Sequence, residues 1–145
     1  MKKAVATCFG VGCLPAAPGT FGSAVGVLFS WLLQRDPVVS LIGLAGVIGL
    51  GFWSAGPTAR QMGKGDPSCV VIDEVAGMML ALVLLPLRWP VVLAGFLLFR
   101  LLDITKPWLI RKAERFPGSA GIMLDDLLAG LAAQLLLRIA LILLG

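Results

Sequence analysis

The sequence predicts an all-α integral membrane protein of about five transmembrane or re-entrant helices, forming a single domain over residues 1–145. Three observations carry this prediction. The chain is 59% hydrophobic and only 14% charged, against the roughly 25% charged residues of a soluble domain. Its apolar residues gather into five stretches separated by short polar segments. Its basic residues fall mostly on alternate connections between those stretches, the pattern of the positive-inside rule.

The five stretches cover about residues 20–33, 37–59, 69–87, 89–102 and 127–144. A full span needs about 20 residues, with 17 as a working minimum. The second contains no charge, and the last is interrupted only by Arg138, whose long stem can snorkel to the outer face. The first and fourth are short enough to be tilted, thinned or re-entrant. The third carries Asp73 and Glu74 near its start. Met1-Lys2-Lys3 resembles the charged end of a signal peptide, but the Gly and Pro residues of 4–20 leave no apolar core behind it, so no cleavage is expected.

With the amino terminus inside, nine basic residues occupy inner segments: Lys2, Lys3, Arg60, Lys64, Arg100, Lys106, Arg111, Lys112 and Arg115. Only Arg35 and Arg88 fall on outer turns. The carboxyl terminus is then outside. The net charge of +4 thus reports topology; no basic stripe with interleaved aromatics is present, and nucleic acid is not an expected partner. Trp31, Trp53, Trp89 and Trp108 read as interface anchors. Arg111-Lys112-Ala113-Glu114-Arg115 reads as a solvated or headgroup-facing run.

Seven of the eight acidic residues lie between Asp66 and Asp126, leaving only Asp36 outside. The same topology gathers all seven at the inner face, at the depth of lipid headgroups. A carboxylate at the centre of a membrane helix costs roughly 3 kcal/mol, so such residues mark function by default.

Four segments carry chemistry. In Leu14-Pro15-Ala16-Ala17-Pro18-Gly19-Thr20-Phe21-Gly22-Ser23, Pro and Gly prevent regular structure up to Gly19, and Thr20 or Ser23 is expected to cap the helix that follows. Free N–H groups and nearby hydroxyls at such a helix start make an anion site, so Thr20 and Ser23 are candidate phosphate ligands. Asp66-Pro67-Ser68 leads into Val71-Ile72-Asp73-Glu74-Val75-Ala76-Gly77. Adjacent carboxylates on a helix point about 100° apart, so one can ligate a metal while its neighbour orients a ligand, and Gly77 lets a helix or ligand approach. In Phe99-Arg100-Leu101-Leu102-Asp103-Ile104-Thr105-Lys106-Pro107, Arg100, Asp103 and Lys106 follow at one-turn spacing; they form either a salt-bridge ladder or a metal ligand flanked by two phosphate-binding cations. In Gly121-Ile122-Met123-Leu124-Asp125-Asp126-Leu127-Leu128-Ala129-Gly130, the two acids open the last span, and Asp126 and Gly130 repeat the spacing of Asp73 and Gly77.

The chain contains no histidine, and its cysteines, Cys8, Cys13 and Cys69, lack the spacing of a metal site. They read as small apolar fillers. The candidate metal ligands are therefore Asp73, Glu74, Asp103, Asp125 and Asp126. Oxygen ligands of this kind select hard cations, Mg²⁺ first, and Mg²⁺ usually completes its shell with water and substrate phosphate. Arg100 and Lys106 can neutralise the phosphate. No cysteine is followed six positions later by arginine, and no Asp-x-Asp occurs; with histidine also missing, thiol, phosphohistidine and type-2 phosphatidic acid phosphatase chemistries are excluded. Metal-activated water with a carboxylate base, or direct attack by an Asp, remains. The candidate catalytic acids are Asp73, Asp103 and Asp126.

These motifs together resemble the phosphatidylglycerophosphatase A family, in order and over nearly the whole chain. The resemblance rests on Leu14-Pro15, Pro18-Gly19-Thr20, Gly22-Ser23, Asp73-Glu74, Gly77, Phe99-Arg100, Asp103, Lys106-Pro107, Gly121-Ile122-Met123, Asp125-Asp126 and Ala129-Gly130. It implies a Mg²⁺-dependent enzyme of the bacterial inner membrane, acting at the cytoplasmic face. Its substrate would be a membrane phospholipid, phosphatidylglycerophosphate, converted to phosphatidylglycerol. Leu109 departs from the family, which often has a second proline there, but removes no chemical group. Other lipid phosphates, such as phosphatidic acid or a polyprenyl phosphate, are the alternative substrates. A cation transporter is the alternative class, but it would place its acids near mid-membrane rather than at one face.

Overall fold

The computed structural model describes residues 1–63 and 68–144, which are helical with no strand among them. Lys64 and Asp66 lie outside the described residues. The elements are α1 (Lys2–Ala6), a 3-10 turn (Val11–Cys13), α2 (Pro18–Leu33), α3 (Pro37–Gln61), α4 (Ile72–Leu82), α5 (Trp89–Thr105), α6 (Trp108–Ala113) and α7 (Ser119–Leu144).

The five long helices fall on the five apolar stretches, with three differences of local physics. The helix after Gly19 was expected to be capped by Thr20 or Ser23. It starts earlier, with Pro18 in the first turn and Ala17 as an N-cap in the left-handed region (φ 47°), and no side chain caps it. Pro is pre-set for a first helical turn because its missing N–H needs no partner there. At the next junction the side chain of Asp36 does cap, accepting from Val38 N at 2.7 Å and Val39 N at 3.1 Å.

The third stretch does not continue as one helix. α4 has eleven residues, roughly 16 Å at 1.5 Å per residue, about half the ~30 Å hydrocarbon core. It ends where Leu84 takes φ 58°, just before Pro86. The amide of Gln134, on α7, donates to Val83 O at 2.7 Å and supplies a partner where the helix no longer can. In the last stretch, α7 begins at Ser119, so Asp125 and Asp126 sit in its second turn rather than opening it.

α4 is the centre of the bundle, packed by α2, α3, α5 and α7. Met78 and Leu82 of α4, Phe99 of α5 and Ala129, Ala133 and Leu137 of α7 share one buried cluster. Ala55 and Ala59 of α3, Ile72 and Ala76 of α4 and Met123 of α7 form another with Ala6. Small residues govern these contacts. A Cβ on Gly26 would lie 2.8 Å from Val75 O, and one on Gly22 2.9 Å from Val71 Cβ, so α2 approaches α4 as closely as helix backbones do in membranes.

The outer surface is apolar: Leu93, Leu97, Leu101 and Ile104 on α5 and Leu135, Ile139 and Ile142 on α7 all point outward. A surface of this extent is not kept against water by a monomeric soluble protein. α3 and α7 are long and apolar enough to cross a membrane. α2, with 16 residues, and α5, with 17, stand at the lower limit for crossing.

Candidate active site

Four helix ends converge on one polar cavity of about 320 Å³. The start of α2 contributes Ala17, Pro18 and Gly19; the start of α4, Asp73 and Glu74; the end of α5, Arg100, Asp103 and Lys106; and the second turn of α7, Asp125 and Asp126, with Ser68 beside them. Among the described residues, every acid and both cations singled out from the sequence line this space.

Backbone proximity builds it. A Cβ on Gly130 would collide with the carbonyl of Gly77, and one on Gly77 would lie 2.6 Å from Asp126 O. α4 and α7 therefore cross in contact, one turn beyond Asp73 and Asp126, and the acids are carried to the same spot. One oxygen each from Asp73, Glu74 and Asp126 lies within 4.8 Å of the others. Asp73 and Asp126 are 7% and 3% exposed. Glu74 Oε2 and Asp126 Oδ2 are buried with no hydrogen-bond partner among the described residues. Buried carboxylate oxygens crowded together without donors need a compensating cation. The donor set is all oxygen, the chemistry of a hard metal ion, and the cluster fits one.

Gly19 closes the site from α2. A Cβ there would stand 2.6 Å from Glu74 Oε1 and 2.7 Å from Arg100 Nη1. The backbone of the first turn thus passes directly over a carboxylate and a guanidinium, and a larger residue would displace the ends of both side chains from the cavity. Thr20 and Ser23 lie outside the cavity lining. Thr20 is exposed, and the buried Ser23 hydroxyl donates to Gly19 O at 2.8 Å, so the helix start at Pro18 leaves neither side chain in the cavity.

The Arg100-Asp103-Lys106 series divides. Arg100 Nη1 pairs with Asp103 Oδ2 at 2.5 Å. Lys106 reaches across instead, to Asp125 Oδ2 at 2.8 Å and Glu114 Oε1 at 3.0 Å. The reason is local: α5 ends at Thr105 and Lys106 is in the left-handed region with φ 42°, ahead of Pro107, so its side chain leaves the helix face. Burial alone draws the Lys106 pKa down, but the hydrogen bond and charge of Asp125, then those of Glu114, outweigh it and hold the ammonium above the usual lysine value. Glu114, set aside in the sequence as part of a surface run, is thereby tied to the site. Its spacing from Lys106 carried no signal, because the turn at Pro107 creates the contact. In the rest of that run Arg111, Lys112 and Arg115 are exposed and Ala113 is buried; Lys112 stacks over Trp108, 3.7 Å from the ring centroid.

The cysteines do not line the cavity. Burial, then the charge of Glu74, pushes the Cys8 thiol up to about 11. Cys8 and Cys69 are half-buried, whereas Cys13 is exposed and fills no core.

The family model described as Phosphatidylglycerophosphatase A matches residues 4–141. The chain belongs to the phosphatidylglycerophosphatase A family. It is 41% identical over 126 residues to the Phosphatidylglycerophosphatase A of Escherichia coli, covering 84% of this chain and 73% of that protein. Identity to the Phosphatidylglycerophosphatase A of Haemophilus influenzae is 38% over 129 residues, 86% of this chain and 79% of the relative. A Bacteroides thetaiotaomicron protein, provisionally named a phosphatidylinositol-3-phosphatase, is 37% identical over 145 residues, 94% of this chain and 91% of its own. No solved structure matches the chain. The family resemblance expected from the motifs is met, and with it the class: a phosphatase with membrane helices.

Proposed function

We propose that this phosphatase removes the terminal phosphate of phosphatidylglycerophosphate, giving phosphatidylglycerol and inorganic phosphate, with Mg²⁺ as cofactor. The observation that carries the reading is the cavity itself, where five carboxylates meet Arg100 and Lys106. Negative charge in excess calls for a divalent cation, and two cations at its edge call for a phosphate.

Asp73, Glu74 and Asp126 hold the metal in this reading, with Asp125 and Asp103 beside them. When bound, Mg²⁺ neutralises phosphate oxygens and acidifies a water. The cations retain donors for the substrate. A guanidinium has five N–H donors and an ammonium three; Arg100 uses one group on Asp103, and Lys106 hydrogen-bonds Asp125 and Glu114. Asp103, outside the three-acid cluster and held by Arg100, takes the proton of the attacking water. The water oxygen forms the new P–O bond as the ester P–O bond breaks; the glycerol oxygen leaves as the alcohol with a proton from solvent, and Asp103 returns the proton it took to solvent. Ser23 supports Gly19 through its hydrogen bond, and neither Thr20 nor Ser23 touches phosphate in this reading.

Membrane placement follows from charge. The reading puts the cavity at the cytoplasmic face of the bacterial inner membrane, the amino terminus inside and the carboxyl terminus outside, with five helices crossing or entering the bilayer. Lys2, Lys3, Arg60, Arg100, Arg111, Lys112 and Arg115 then share the cavity's side, while Arg35 and Arg88 lie opposite.

Release of inorganic phosphate from detergent-dispersed phosphatidylglycerophosphate, with and without Mg²⁺, tests the proposal. No release by the pure protein, together with cation flux in liposomes, would sink it. The name of the Bacteroides relative makes a phosphoinositide monophosphate the informative competitor; the proposal requires faster turnover of phosphatidylglycerophosphate.

A further inference from the structure

The cavity receives a headgroup, and the same two helices that hold it also frame a second, apolar space. Helices α2 and α5 touch and run in opposite directions: the acidic cavity takes Ala17 to Gly19 at the start of α2 and Arg100 to Lys106 at the end of α5. A groove of about 380 Å³ takes Ala24, Val27, Leu28 and Trp31 further along α2 and Trp89 and Val92 at the start of α5. The headgroup cavity and the groove therefore lie at opposite ends of the α2–α5 pair. We propose that this groove is the binding site for an acyl chain of the lipid whose phosphate lies in the acidic cavity, an inference that rests on the lipid phosphatase reading above.

Depth supports the assignment. At 1.5 Å per residue, Ala24 to Trp31 lies roughly 8 to 18 Å along α2 from Gly19. That interval brackets half of the ~30 Å hydrocarbon core, the reach of a chain descending from one leaflet. The groove exists for a local reason. α2 spends its small residues, Gly19, Gly22, Ser23 and Gly26, on the face buried against α4, which leaves Ala24 and Val27 flanking it. Ala24 is too short to fill the space beside α5, and no charged side chain lines it. An apolar chain tethered to a bound headgroup enters without desolvating any charged group, and the tether raises its local concentration.

Two measurements on the full chain test this. The first uses photoactivatable lipids with a diazirine near mid-chain, in vesicles of phosphatidylcholine. Phosphatidylglycerophosphate should label the peptide containing Ala24 to Trp31, excess inorganic phosphate should reduce the label, and phosphatidylcholine carrying the same probe should label it several-fold less. Equal labelling by both lipids, untouched by phosphate, would show ordinary bilayer contact and overturn the proposal. The second is Ala24→Phe, which fills an outward-facing position. KM for the long-chain substrate should rise about fivefold, while turnover of a short-chain analogue stays within about twofold. An equal change for both substrates overturns it. If the wild type releases no phosphate yet shows the phosphate-sensitive label, the reaction assigned above fails and the chain site stands.

Discussion

The backbones of Gly77 and Gly130 are in contact where α4 and α7 cross, each one turn beyond a buried carboxylate. A Cβ on Gly130 would fall onto the Gly77 carbonyl, and a carbonyl within a helix cannot step aside as a flexible side chain can. Gly130→Ala is therefore expected to push the helices apart and to cost about 1–3 kcal/mol through overpacking. Because Asp126 moves with α7, turnover should fall at least ~10-fold. Gly46→Ala is the control: nothing lies within 4 Å of a Cβ there, and Ala is favoured over Gly in a helix by up to about 1 kcal/mol. Thermal unfolding in detergent and phosphate release check the pair. Equal behaviour of the two variants would show that the crossing does not position the acids.

The acid cluster predicts a metal-dependent stability. Asp73, Glu74 and Asp126 bring like charges together in a buried space, so a bound cation should raise the unfolding temperature, by an amount that grows with concentration as RT ln(1 + [Mg²⁺]/Kd). Chelation should abolish turnover and remove the shift. Asp73→Asn and Asp126→Asn should each lose both the shift and turnover, the latter on the order of 100-fold or more. Asp103→Asn should lose turnover but keep most of the shift, since Asp103 lies outside the three-acid cluster. A normal metal response in Asp126→Asn would remove it from the ligand set.

Much of this was legible in the residues. An acid with a glycine one turn later, twice, correctly signals two helices meeting at their small residues, because one-turn spacing is local. The missing histidine likewise limits the chemistry from composition alone. What was not legible depends on backbone turns. The left-handed conformation of Lys106 sends its side chain to Asp125 and Glu114, and no spacing rule anticipates a contact made through Pro107. The stop of α4 at Leu82 was hidden because residues 83–87 are as apolar as the helix before them. The early start of α2 moved Thr20 and Ser23 out of the cavity, since Pro18 competes with a hydroxyl cap for the first turn.

The thiols should be dispensable. With its pKa pushed up to about 11, Cys8 is almost entirely protonated near neutral pH and is a poor nucleophile. Cys8→Ser, Cys13→Ser and Cys69→Ser should each keep turnover within about twofold of wild type. Alkylation of the exposed Cys13 near neutral pH should do the same. Loss of activity in Cys8→Ser without loss of folding would reopen a thiol mechanism.

Lys106 gives the pH-dependent prediction. Its folded pKa lies above the ordinary value of 10.5, so the stability it contributes is complete below that value. It is lost only as pH rises through the higher folded pKa. Asp125, whose side chain is 6% exposed, is the stronger partner, and Glu114, at 44%, the weaker. Lys106→Met leaves the Asp125 carboxylate buried without its cation and should cost about 1–3 kcal/mol. Glu114→Gln, a solvent-screened change, should cost at most about 1 kcal/mol. Denaturation in detergent from about pH 6 to 9 should find the gap between wild type and Lys106→Met constant, because Lys106 stays charged throughout that window. A gap that closes as pH rises toward 9 would mean that the Lys106–Asp125 pair is not what holds the end of α5 against α7.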